Sequence, residues 1–190
     1  MRRILALSIA LLAPAPLADV AAYPLRSLYT TIELSNCTVL KRHKDGGAWR
    51  CKGLAGYPVF VAEGDLRTFV SLGKSAEKRK AARQTLRPFN SIFARKSKRA
   101  TLEWRFTSPA GRTTPYAGIL RYFIDTNGRH GEALVVLRIT PAETCQVAVI
   151  DALATRNAIA LARRLADTTA RNFDCRKEPE RHGARGAVPL

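Results

Sequence analysis

Four cysteines, Cys37, Cys51, Cys145 and Cys175, constrain what this chain can fold into more than any other feature. An even cysteine count in an exported chain reads as two disulfides, for which three connectivities exist. The pairing favoured is Cys37–Cys51 with Cys145–Cys175. The first two flank Asp45-Gly46-Gly47, a strong turn signal, so their bridge would close a hairpin. The second bridge would tie a strand to the end of the last helix. In the chain-entropy account each is worth about 3 kcal/mol. A zinc site would need Cys-x-x-Cys or a histidine at ligand spacing from a cysteine, and neither occurs. No metal and no cofactor is therefore expected.

The N-terminus supplies the export argument. Arg2 and Arg3 precede an apolar run from Ile4 to Ala13, Pro14 and Pro16 break it, and Ala18, Ala21 and Ala22 offer small residues for cleavage. This is the layout of a secretory signal peptide over residues 1–22, cut after Ala22. The run is too short for the roughly 20 apolar residues that span a bilayer. Asn36 precedes Cys37 where a lipoprotein signal needs a small residue, so no lipid anchor is expected. The expectation is a soluble periplasmic or secreted product without a transmembrane segment.

Strand and turn signals dominate the chain from Tyr29 onward. Tyr29–Leu34, Cys37–Leu40, Ala48–Cys51, Tyr57–Val61 and Leu66–Leu72 read as short strands in an antiparallel meander. Pro58 places its strand at an edge or lies near the strand's start. Ser75, Glu77 and the Gly- and Pro-free stretch to Arg87 predict a helix over 75–87. In Thr101–Phe106, Leu102, Trp104 and Phe106 point one way while Glu103 and Arg105 point the other. Tyr116–Ile124, Ala133–Ile139 and Thr144–Ile150 continue the strands, with Asn127-Gly128 marking a tight turn. Ile159, Ala162, Leu165, Ala166, Thr169 and Phe173 give an apolar stripe for a helix over 155–173. The class is α+β: an antiparallel sheet of about 7–9 short strands with two helices, in one disulfide-stapled domain over 23–175. Residues 176–190 read as a flexible tail.

Catalytic motifs are absent. Gly73-Lys74-Ser75 ends like a phosphate-binding loop, but Thr68 stands where the motif needs glycine. Neither a nucleophile elbow nor a His-Glu-x-x-His motif occurs. His43 and His130 fall in turns and His182 in the tail, where solvated histidine is the expectation. With the cysteines bridged, no thiol nucleophile remains. Glu63 with Asp65, or Glu103, would be the carboxylates of a small hydrolase, the reading ranked lowest.

Charge is the outstanding feature. Lys+Arg number 32 and Asp+Glu 15, a formal +17, while hydrophobic residues at 46% argue against global disorder. Ten cations fall between positions 74 and 99: Lys74, Lys78, Arg79, Lys80, Arg83, Arg87, Arg95, Lys96, Lys98 and Arg99. Only Glu77 opposes them. On a helix, Arg79, Arg83 and Arg87 would line one face and repel one another by a few tenths of a kcal/mol per pair. Arginine suits bidentate contacts to phosphate or carboxylate. Export weakens the nucleic-acid reading of such a patch and favours an anionic envelope lipid or polysaccharide. The expected function is anion binding through 74–99; a protein–protein module, either an inhibitor or an assembly factor, is the alternative.

The runs from Lys41 through Asp45-Gly46, Trp49-Arg50-Cys51-Lys52-Gly53-Leu54 and Gly56 to Arg67, with the closing Ile150-Asp151-Ala152-Leu153-Ala154 and Phe173-Asp174-Cys175, resemble small exported proteins of Gram-negative bacteria to which no activity is assigned. That resemblance implies export and paired cysteines, and transfers no ligand or catalytic residue.

Overall fold

In Thr101–Phe106 the apolar Leu102, Trp104 and Phe106 and the alternating polar Glu103 and Arg105 are all buried, so this strand sits in a middle layer. The computed structural model describes residues 25–54, 56–108 and 113–186. Residues 1–22, expected to be the leader, lie outside them. Among the described residues the chain is mostly β. Strand β1 is Arg26–Ile32, β2 Thr38–His43, β3 Gly46–Leu54, β4 Tyr57–Gly64 and β5 Arg67–Leu72. After the basic segment come β6 Phe89–Ser91, β7 Ala100–Thr107, β8 Thr114–Thr126, β9 Arg129–Ile139 and β10 Thr144–Asp151. Helix α1, Ala158–Thr168, and β11, Glu180–His182, complete the fold.

These strands form two sheets where one was expected. The larger has the order β1-β7-β8-β9-β10-β11, with β6 pairing the far end of β8; the smaller is the meander β2-β3-β4-β5. All pairs are antiparallel except β10 with β11. Leu102, Trp104, Leu120, Tyr122, Val135 and Leu137 from the large sheet pack against Val59, Val61, Val70 and Leu72 of the small one. Burial of each such side chain stabilises by about 1.5–3 kcal/mol. Gly118 makes room for this packing: a Cβ there would lie 2.5 Å from Leu72 Cδ1. The opposite face of the large sheet, with Ala117, Ile119, Leu134 and Val136, is covered by Ala162, Leu165, Ala166 and Phe173. The layers run small sheet, large sheet, helix.

Two expectations are corrected. The helix over 75–87 does not form. Two 3₁₀ turns, Ala76–Lys78 and Lys80–Arg83, are separated by extended Arg79. A helix there would bury little and align like charges, whereas the irregular path seats Ala76, Ala81 and Leu86 in the core. The helix over 155–173 is shorter, because Asp151 Oδ1 accepts from the backbone N–H of Leu153 and Ala154 and turns the chain before Asn157. Ala170–Asn172 continues it as a 3₁₀ turn. Residues 176–186 are tied down: β11 pairs with β10, Ala184 N–H bonds Thr155 Oγ1 at 3.1 Å, and Gly186 N–H bonds Asp151 Oδ2 at 3.0 Å. Pro58 lies near the start of β4, an inner strand.

Both bridges pair as favoured. Cys37–Cys51 spans the β2–β3 hairpin with a Cα separation of 4.4 Å, and Cys145–Cys175 joins β10 to the chain beyond α1 at 5.7 Å.

Candidate functional site

The structure scatters the ten cations of 74–99. The Arg79 guanidinium donates to the carbonyls of Lys74, Pro141 and Ala142 and so fastens the segment to the β9–β10 turn. Arg99 Nε pairs with Glu33 Oε2 at 3.2 Å. Lys74, Lys78, Lys96 and Lys98 stand exposed and line neither of the two clefts that flank Arg67. Arg95 turns to another hairpin, its Nη1 3.4 Å from His130 Nε2.

Lys80, Arg83 and Arg87 do converge. With Arg67 from β5 they line a groove of about 770 Å³. Its one carboxylate, Glu178, is 84% exposed and lies 3.5 Å from Lys80 Nζ. Lys80 Nζ also donates to the Lys177 carbonyl at 3.0 Å. Among the described residues the Arg83 and Arg87 guanidiniums enter no ion pair. Arg67 is paired with Asp65 and Lys80 with Glu178, so Arg83 and Arg87 supply the uncompensated charge that attracts an anion.

Arg67 is the member that local sequence did not reveal. It lies outside the 74–99 run, and only the β4–β5 hairpin brings it there. Arg67 Nε donates to the Arg87 carbonyl at 3.0 Å, its Nη1 engages Asp65, and its guanidinium lies 5.1 Å from the Phe89 ring centroid. These contacts hold it between the groove and a second cleft.

That second cleft, of about 710 Å³, opens where the hairpin tips of both sheets meet. Leu66, Phe89, Phe93 and Phe123 supply its apolar wall, and Arg67 lines it too. Asn90 locks the two sheets together beneath it. Its N–H donates to the Leu66 carbonyl, its Oδ1 accepts from Thr68 N–H, and its Nδ2 donates to the Leu86 and Pro88 carbonyls. Of the candidate carboxylates, Glu63 lines this cleft, and burial pushes its pKa above the usual carboxylate value. Asp65 is engaged by Arg67, and His43 stands exposed on β2. His130 Nδ1 lies 3.5 Å from Asp125 Oδ2, while its Nε2 faces the Arg95 guanidinium, which can only donate.

Glu103, the third candidate acid, sits under α1. Arg163 Nε donates to Glu103 Oε1 at 2.7 Å, and Ser27 donates to the same oxygen. Beside it Arg105 grips Asp167 through two bonds of 2.9 and 2.6 Å, and Tyr116 OH donates to Asp167 at 2.6 Å. This array neutralises both carboxylates and binds α1 to β7 and β8. Its role is structural.

No protein-family model, no curated protein and no solved structure matches the chain. The chemistry of the two clefts therefore carries the functional reading.

Proposed function

We propose that this chain is an exported, disulfide-stapled binding protein that takes an anionic envelope component, a lipid head or an acidic polysaccharide, in the groove of Arg67, Lys80, Arg83 and Arg87. One observation carries the reading: four cationic side chains from two chain segments line one concavity, and only two of them are paired, Lys80 with Glu178 and Arg67 with Asp65. Planar guanidiniums on Arg83 and Arg87 suit paired hydrogen bonds to phosphate, sulfate or carboxylate oxygens, and Arg67, its Nε and Nη1 already engaged, adds charge beside them. Lys80, anchored through the Lys177 carbonyl, adds a point charge. Two disulfides are compatible with an oxidising compartment, and among the described residues no helix is long and apolar enough to cross a membrane.

The test is retention on immobilised heparin, a sulfated polyanion, at about 0.15 M salt, where surface charges interact over roughly 8 Å. The double variant Arg83→Glu/Arg87→Glu should no longer be retained. Retention equal to the wild type would overturn the groove as the anion site.

A further inference from the structure

The groove and the apolar cleft share a wall. Arg67 lines both, its guanidinium bonded to the Arg87 carbonyl on the groove side and stacked on Phe89, which belongs to the cleft. A ligand with its charge in the groove therefore meets Leu66 and Phe89 on crossing Arg67.

The β4–β5 turn shows what Leu66 is for. Gly64 pairs with Arg67 around a two-residue loop in which Asp65 and Leu66 have φ of 50° and 57°. The β8–β9 hairpin makes the same kind of turn with Asn127 and Gly128, at φ 50° and 78°. Such turns favour Asn-Gly or Asp-Gly, because a left-handed backbone crowds any larger Cβ. Leucine at Leu66 thus opposes the local conformation, and its side chain is 70% exposed, so packing does not explain it either. Only its carbonyl, which accepts from Asn90 N–H at 3.0 Å, serves the fold, and glycine would offer the same carbonyl. Phe89, beside it, is 43% exposed. Strain that leaves an apolar side chain in water at the mouth of a cleft points to a ligand that covers it.

Of the cleft's three carboxylates, Asp45 stands exposed at the β2–β3 tip, and the other two are occupied or muted. Asp125 accepts from Gly128 N–H at 3.0 Å and faces His130, and burial favours the neutral form of Glu63. Each volume, about 770 and 710 Å³, falls in the usual range for small-ligand sites.

We propose that groove and cleft form one site for an anionic amphiphile: a phospholipid monomer, its phosphate held by Arg67, Lys80, Arg83 and Arg87, its acyl chain running past Arg67 between Leu66 and Phe89. The proposal rests on the anion-binding reading of the groove and names its ligand class. It requires that affinity depend on charge and chain together, since each half offers only a fraction of the contact.

The experiment is calorimetric titration of the mature protein with three probes. These are a short-chain phosphatidylglycerol below its micelle concentration, its deacylated headgroup glycerophosphoglycerol, and phosphatidylcholine of equal chain length. Phosphatidylglycerol should bind at least tenfold more tightly than either other probe. Leu66→Gly and Leu66→Asn, both suited to a left-handed backbone, should keep or raise Tm, leave headgroup binding unchanged, and cut lipid affinity several-fold. Arg83→Glu/Arg87→Glu should abolish binding of headgroup and lipid alike. Equal affinity for headgroup and lipid, or lipid binding indifferent to both Leu66 variants, would overturn the amphiphile and leave the anion site standing. Lipid binding that survives charge reversal but falls with Leu66→Gly would instead overturn the anion groove.

Discussion

At the scale of single residues, the array beneath α1 shows how this basic chain buries charge. The side chains of Arg105 and Asp167 are only 9% and 16% exposed, and their two parallel bonds leave neither uncompensated. Removing Asp167 leaves the buried Arg105 guanidinium without its hydrogen-bonded partner, with Glu103 acting on it only at longer range. Asp167→Ala should therefore cost about 3–5 kcal/mol in urea unfolding, while Arg105→Met/Asp167→Leu, which removes both charges, should cost less. A loss under about 1 kcal/mol for Asp167→Ala would show the pair to be dispensable. Glu63 behaves in the opposite sense. Its folded pKa is raised by burial, so its favourable contribution is present below its unfolded value and lost as pH rises through the folded one. Glu63→Gln should raise Tm at pH 7 and change it less at pH 4. An equal change at both values would contradict that account. Part of this was legible in the sequence: alternation set Glu103 and Arg105 on the face opposite Leu102 and Trp104. Their partners were not, because Arg163 and Asp167 are some 60 residues away and only folding aligns that side of α1 with β7.

At the scale of elements, legibility tracks the range of the interactions that make each one. Most of the long strands announce themselves by β-branched and aromatic residues and by turn dipeptides, all local signals. Strands β6 and β11 have three residues each and no period to read; pairing with β8 and β10 alone defines them. The stretch 75–87 carries good helix formers, yet tertiary burial of Ala76, Ala81 and Leu86 together with the captured Arg79 prevails over propensity. The turn Asp45-Gly46-Gly47 was sufficient to place Cys37–Cys51, since a hairpin brings its flanks together. Cys145–Cys175 has a longer reach. It closes a separation of 30 residues and pins the chain after α1 beneath β10. Replacing both by alanine should cost about 3 kcal/mol. It should also speed amide hydrogen exchange across 158–182 more than across β2–β5. Uniform acceleration throughout the chain would argue that the bridge does not hold that element in particular.

At the scale of the whole molecule, the +17 charge is divided by the fold. Arg79 and Arg99 are spent on internal contacts, Arg95 faces His130, and four lysines of the segment stand apart in solvent. What remains focused is the groove, completed by Arg67 from β5, the edge strand of the small sheet. Composition pointed to a polyanion, and the run 74–99 pointed to a neighbourhood, but convergence is a property of two segments meeting and has no one-dimensional signature. The central claim is that position, and not total charge, makes this surface bind anions. Elution from heparin in a salt gradient tests it most directly, comparing Arg83→Glu/Arg87→Glu with Lys41→Glu/Lys98→Glu, two variants of identical net charge. The groove pair should elute at much lower salt than the wild type, and the distant pair close to it. Equal shifts for the two variants would contradict the account.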